Sequence, residues 1–419
     1  MSKNLNLNIS KSMSDKIPYL RCYEENGIIE TELNVYTVGY EICKSSDQMN
    51  SQFNIQLVRT CMENLLKESA KDGMTFQFCV RNRRVDTQDY LKGILAPEHN
   101  EEKIDTYVKK YNDSIIENTS VGHNNFETKI YNILSYRAGV VEDAIEHFQK
   151  IETSMKELFA KLYGYKAVPM TLQERLEAVY DIYHPENNDT FGTVADYDGN
   201  GFSFHSMQLM KLTTKDLVAP SDYDDSESNY LKVGSKYARG FFINSIPANV
   251  PDTVLIDIMS VSSNSVLSVA YQPMESDIGF SASMKAVKDN TYTKVIPIRD
   301  TVEDRKERRT QTKEYPITEN EENYFHQTAL ELFKDSVAKD NPTMLTSFAI
   351  VLFADDLDEL ERDTRLLKLS ASKYAVQIRT ADKLQNETFQ SVLPLNNAKI
   401  NVKRAFSVER LATMTPMYQ

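Results

Sequence analysis

The sequence predicts an α+β fold: two ferredoxin-like α/β sandwich units in tandem, joined by a loop-rich linker. Three observations carry this. Short runs of alternating apolar and polar residues, the pattern of half-buried strands, recur between amphipathic stretches with a helical period. The strand–helix–strand order seen in the first half returns in the second. Between the halves, residues from Glu186 to Ser228 keep no period and are rich in Asn, Asp, Gly and Ser. The predicted division is a polar, disordered N-terminus at 1–16, a first domain at 17–185, a linker at 186–228 and a second domain at 229–419. A chain of 419 residues is too long for one ordinary core, which also argues for two domains.

In chain order, GIIETELNVYTVGYEI alternates around central turn formers and predicts a β-hairpin ending near Ile42. From about Gln48 to Lys71, Phe53, Leu57, Cys61 and Leu65 recur every fourth residue and line one helical face. MTFQFCVRNRRV reads as a strand with Phe76, Phe78 and Val80 on one side. Helical stretches follow at Asp86–Leu95 and Glu102–Glu117, then the strand FETKIYNILSYRA and the amphipathic helix VVEDAIEHFQKIETSMKELFAKLYG. TLQERLEAVYDIYHP is a short helix: Thr171 and Glu174 form a capping box, and Pro185 stops it. The helices are expected on one face of the sheet.

The second half repeats the scheme. Tyr230–Val233 and Ala238–Asn244 pair as strands, and PDTVLIDIMSV starts as a helix with Pro251 in its first turn. SVLSVAYQP is a strand, followed by helices at Glu275–Lys288, Arg299–Lys313 and Glu319–Lys339. The middle one is dense in charges of both signs and reads as a solvated helix. The strand MLTSFAIVLFADD, the helix DLDELERDTRLLKLSASK and the strand YAVQIRT then close a second sheet.

Composition narrows the function. Hydrophobic residues make up 41% and charged residues 26%, typical of a globular protein. The longest strongly apolar run, FAIVLFA, falls far short of the ~20 residues of a membrane helix. The N-terminus has no apolar core behind its lysines, so no signal peptide is expected. The predicted location is the cytoplasm, with membrane contact only through a partner. A net charge of −13 argues against broad nucleic-acid binding, which needs surplus Lys and Arg. Cys22, Cys43, Cys61 and Cys79 lack the close spacing of a zinc or redox motif and read as reduced thiols.

Three apparent motifs reduce to structure. DYDGNG, Asp196–Gly201, opens like a calcium loop, but Met207 stands where the bidentate Glu is needed, so the stretch reads as a turn. FAIVLFADD imitates the acid-tipped strand that holds magnesium in P-loop ATPases. No Gly-Lys dipeptide occurs anywhere to form the phosphate loop. Asp355 and Asp356 are therefore read as acids at a helix start. The six histidines are scattered, with no zinc or triad spacing. No catalytic, cofactor-binding or metal-ligating residue is predicted.

Several blocks nonetheless carry a resemblance. KIPYLRCYEENGIIETELNVYTVGYEI, MTLQERLEAVYDIYHP, LTTKDLVAPSDYDD, NYLKVGSKYARGFFI, SVAYQP, FADDLDELERDT and ETFQSVLPLN appear in the order found in the cytoplasmic ATPases of type IV secretion. The chain resembles the N-terminal portion of the CagE/TrbE/VirB family, in the TraE/TrsE-like form of Gram-positive conjugative elements. The resemblance covers nearly the whole chain. In that family, a segment like RAFSVERLATMTPM leads to the nucleotide-binding domain. The expectation is thus a truncated or split chain, with ATP and magnesium bound only by a motor domain beyond Gln419.

What the resemblance implies is a docking module. It would bind an inner-membrane protein of the secretion channel and associate with copies of itself or a separate motor chain, at the inner face of the membrane. The alternative is part of an ATP-hydrolysing conjugation motor. Tyr19, Tyr23, Ile28 and Ile29 are the candidate apolar docking strip, with core packing as the competing explanation.

Overall fold

The computed structural model describes residues 13–44, 52–71, 73–84, 95–97, 102–120, 126–160, 165–186, 191, 207, 209, 211–247, 250–273, 342–400 and 402–415. After a short 3-10 turn, Met13–Lys16, come β1 (Arg21–Tyr23), β2 (Ile28–Glu32), β3 (Val35–Lys44), α1 (Gln52–Lys71) and β4 (Thr75–Arg84). Next are α2 (Glu102–Ser120), β5 (Phe126–Arg137), α3 (Val141–Ala160), β6 (Tyr165–Pro169) and α4 (Leu172–Tyr183). Then follow α5 (Thr214–Val218), β7 (Tyr223–Asp224), β8 (Leu231–Val233), β9 (Lys236–Ser245), α6 (Val254–Met259) and β10 (Ser265–Pro273). The last elements are β11 (Thr343–Ala354), α7 (Leu357–Lys373), β12 (Gln377–Thr380), α8 (Gln385–Val392), β13 (Arg404–Ser407) and α9 (Val408–Thr413).

The class is mixed α and β, around a large antiparallel sheet. Where two sheets were expected, the described strands form one, in the order β1-β2-β3-β5-β4-β10-β11-β9-β8-β7, with β6 on β3, β12 on β9 and β13 on β11. Within the first half the neighbours run β6-β3-β5-β4, and within the second β12-β9-β11-β10. The halves meet where β4 pairs antiparallel with β10, from Phe76 opposite Tyr271 to Asn82 opposite Ser265. The reason lies in β4 itself. Phe76, Phe78 and Val80 are buried on one side, and Gln77, Cys79 and Arg81 on the other. A strand buried on both faces is a central strand, and leaving it as an edge would strand its backbone groups.

Both faces of the sheet are covered, not one. α1, α3, α6, α7 and α9 pack over the face that carries Phe76, Phe78, Leu267, Val269, Phe348 and Ile350. α4, α5 and α8 pack over the face that carries Cys79, Val266, Ala349 and Val351. The two-residue period of the strands deals successive side chains to the two cores.

Local signals explain the element ends. Thr171 and Glu174 make the predicted reciprocal capping box on α4, which ends at Tyr183, two residues before Pro185. Asp356 is the N-cap of α7: its Oδ1 accepts from the Glu359 amide at 2.7 Å, as the acidic tip of FAIVLFADD implied. RAFSVERLATMTPM, which the resemblance reads as leading towards a motor domain, is itself part of the fold: β13 pairs with β11, and α9 packs on α1 with Val408, Leu411 and Ala412 fully buried. The helices predicted at Glu275–Lys288, Arg299–Lys313 and Glu319–Lys339, most of Asp86–Leu95, and the turn Asp196–Gly201 lie outside the described residues.

The seam between the halves is fastened by Gln77. Its Nε2 donates to Ser268 Oγ at 2.8 Å and to the carbonyls of Leu393 at 2.8 Å and Ser391 at 3.2 Å. Its Oε1 accepts from the Asn396 amide at 2.6 Å. Asn396 then donates to Thr75 Oγ1 and Ser135 Oγ, and Asn397 to the Pro18 carbonyl. The segment after α8 is thereby bound to β4, β5 and the chain before β1. Gln77→Ala would leave several buried partners unpaired and add a cavity, and should cost about 3 kcal/mol of stability. Urea unfolding monitored by circular dichroism measures it; an unchanged midpoint would show that the seam does not depend on this amide.

Candidate functional site

The predicted docking strip is core. Tyr19, Ile28 and Ile29 are 2%, 1% and 0% exposed, and Tyr23 is half-buried with its ring edge-on to Tyr36. Ile28 and Ile29 point to opposite faces, Ile28 into the core under α1 and α3, Ile29 with Tyr19 into the core under α4. The hairpin carrying them is clamped by Arg175 of α4. Its Nη1 donates to the carbonyls of Gly27 (2.9 Å) and Thr37 (2.6 Å), and its Nη2 to Thr37 Oγ1 (2.8 Å). Gly27 suits this turn because its φ is +60° and a Cβ there would lie 2.7 Å from the Met170 carbonyl oxygen. Burial lowers the Arg175 pKa to about 10, which still leaves it charged at neutral pH.

A cleft of about 480 Å³ opens between α4 and the floor formed by β3, β4 and β5. At its wall, Asp181 of α4 accepts from Arg81 Nε at 2.7 Å, and its other oxygen faces Arg83 Nε at 3.1 Å. The buried Arg81 also donates to Asn264 Oδ1 at 2.6 Å and the Asn82 carbonyl at 2.8 Å. Asn264 in turn donates to the Pro185 carbonyl, so the same cluster ties the end of α4 to the second half. His184 stacks on Tyr180 with ring centres 3.7 Å apart, and its Nδ1 lies 3.0 Å from the Tyr180 carbonyl. A carbonyl only accepts, so Nδ1 carries the proton. Burial holds the His184 pKa below its ordinary value, and Tyr131, also lining the cleft, has its hydroxyl pKa pushed well up by burial. Asp181 is thus committed to two guanidiniums, and its geometry is that of a structural tie. Glu41, Lys129, Glu174 and Glu177 also line the cleft.

A second feature lies outside both cores. α2 is inserted between β4 and β5, and none of its described residues belongs to either core. The Asn112 side chain holds the Ala96 backbone in both directions, each bond 3.0 Å. Ile104, Tyr107 and Tyr111 follow one another up one side of α2, 42%, 75% and 56% exposed. Three large apolar side chains thus stand exposed along one strip, and Ile116, 40% exposed, lies on another side of the same helix. The sequence shows α2 as a helix, but its open strip becomes visible only once the fold shows what the cores leave uncovered.

Among the described residues no group of three or more His, Cys, Asp and Glu is placed to hold a metal. No described helix is long and apolar enough to cross a membrane. No protein-family model and no curated protein matches the chain.

Two outcomes test the cleft wall. Asp181→Asn removes the charge paired with the buried Arg81 and should destabilise the protein by about 3 kcal/mol in urea unfolding. His184 is held neutral in the folded state, so the unfolded chain takes up its proton first. Its stabilising contribution is complete above the ordinary imidazole value of about 6.5 and is lost as pH falls through the lowered folded value. Stability measured from neutral pH downwards should therefore fall less steeply in His184→Gln than in the wild type; identical profiles would contradict the assignment.

Proposed function

We propose that this chain is an interaction module of a conjugative type IV secretion system. It is the N-terminal part of the system's cytoplasmic ATPase, docking on inner-membrane components of the channel and associating with copies of itself. Its place is the cytoplasmic face of the membrane, reached through those partners. The observation that carries the reading is α2, a helix outside both cores with Ile104, Tyr107 and Tyr111 exposed along one side. The ordered sequence blocks that resemble the secretion ATPases support it as well. Several sit at joints of the fold: ETFQSVLPLN spans α8 and the segment on Gln77, and MTLQERLEAVYDIYHP spans α4 and its clamp Arg175.

We read each half as a ferredoxin-like unit. The support is the repeated neighbour order, β6-β3-β5-β4 and β12-β9-β11-β10, with a helix after the first and third strand of each set.

Crosslinking in conjugation-competent cells, followed by mass spectrometry of the purified chain, tests the function. The expected product joins α2 to an integral membrane protein encoded by the same conjugative element, and Tyr107→Glu should reduce it at least about tenfold, as loss of an aromatic anchor does. Recovery of no such protein by the folded wild-type chain would overturn the docking reading. Calorimetric binding of Mg-ATP by the purified chain would assign it to the motor instead.

A further inference from the structure

We infer that the cleft between α4 and the sheet is a binding site for a free basic amino acid, held through its carboxylate, its α-ammonium and its side-chain cation. None of the residues involved is on α2, so the inference stands apart from the docking reading. The cleft floor carries the first part of it. Glu41 of β3 lies opposite Tyr131 of β5 in register, and Lys129 follows two residues away on the same face of β5. Among the described residues, the Glu41 carboxylate, the Lys129 ammonium and the Tyr131 hydroxyl have no hydrogen-bond or ion-pair partner. Tyr131 is only 5% exposed. A buried polar group without a partner costs stability, and one that lines a cleft is placed to be satisfied by a ligand. Burial also pushes the Tyr131 pKa well up, so its hydroxyl keeps its proton and donates.

Charge selects the ligand. Arg81, Arg83 and Asp181 hold one another. Among the described residues lining the cleft, the other charged groups are the cation Lys129 and the acids Glu41, Glu174 and Glu177. Glu174, Glu177, Ala178 and Asp181 recur three and four residues apart, so the acids of α4 share one helical face. Glu174 spends only Oε2 on its capping box. Lys129 and Tyr131 thus offer donors to one carboxylate, and the acids offer acceptors to two cations. A free basic amino acid carries that set of charges. A nucleotide or phosphate would meet an excess of acids, and a polyamine would leave both donors unmatched. A metal is not favoured either, since no described acids are grouped to hold one. Tyr180, with His184 stacked on it and Phe191 edge-on, supplies a wall for the methylene stem. The volume of about 480 Å³ lies within the range of small-molecule sites.

Isothermal titration calorimetry of the purified chain with L-arginine, at neutral pH and constant ionic strength, tests the site. One saturable site is expected, with a dissociation constant on the order of 100 μM for a ligand of this size. L-citrulline lacks the side-chain charge, agmatine the carboxylate, and Nα-acetyl-L-arginine the α-ammonium. Each should bind at least about tenfold more weakly, because a charged group in the cleft is left unpaired. Tyr131→Phe removes only the hydroxyl and should weaken L-arginine binding about fivefold, and Glu41→Gln at least about tenfold. Neither side chain has a polar partner in the fold, so both variants should melt as the wild type does by circular dichroism. No saturable heat up to about 10 mM L-arginine would overturn the inference. So would citrulline binding as tightly as arginine, or folded variants that bind L-arginine like the wild type.

Discussion

The amide of Gln77 is the bond on which the architecture depends. It is completely buried, and both of its polar atoms are engaged: Ser268 across the strand seam, Ser391 and Leu393 after α8, and Asn396 from the opposite direction. An amide buried in this way is costly when partly satisfied and specific when fully satisfied. It selects one register of β4 against β10 and one path for the segment that follows α8. β13 and α9 extend the same interlock, since α9 comes from the end of the second half and packs on α1 from the first. The two halves share both cores and are held together by polar ties at Gln77, at Arg81 with Asn264, and at Arg59 with Asp252.

Much of the local structure was legible in the sequence because its causes are local. The hairpin at Ile28–Lys44, the four-residue recurrence of α1, the capping box of α4 and the acid cap of α7 each depend on residues within a few positions of one another. The joining of the two sheets was not legible, because Gln77 and Ser268 are 191 residues apart. The alternation of MTFQFCVRNRRV reads equally as a strand with one wet face. Only a partner sheet and a covering segment reveal that Gln77, Cys79 and Arg81 face a second core. One clue was present in Ile28 and Ile29: adjacent apolar residues in a strand point to opposite faces, and two buried faces leave no room for a docking strip there. The clamp on that hairpin, Arg175, comes from a helix 148 residues downstream of Gly27, beyond the reach of pattern reading.

Function divides along the same line as packing. The charges around the cleft wall are largely spent on holding α4 to the sheet, with Asp181 shared by Arg81 and Arg83. The apolar residues first suspected of docking are spent on the two cores. On α2, by contrast, Ile104, Tyr107 and Tyr111 stay exposed outside both cores. Binding at a helix outside both cores would not require the sheet to rearrange.

The central claim, an interlocked body of two halves with α2 outside it, is tested most directly by native-state hydrogen exchange. Amides of β4 from Phe76 to Val80 and of β10 from Val266 to Tyr271 should open with one common free energy, equal to that of global unfolding. Amides of α2 should open at a distinctly lower free energy. Separate opening free energies for β4 and β10, or an α2 that exchanges only with global unfolding, would contradict the account.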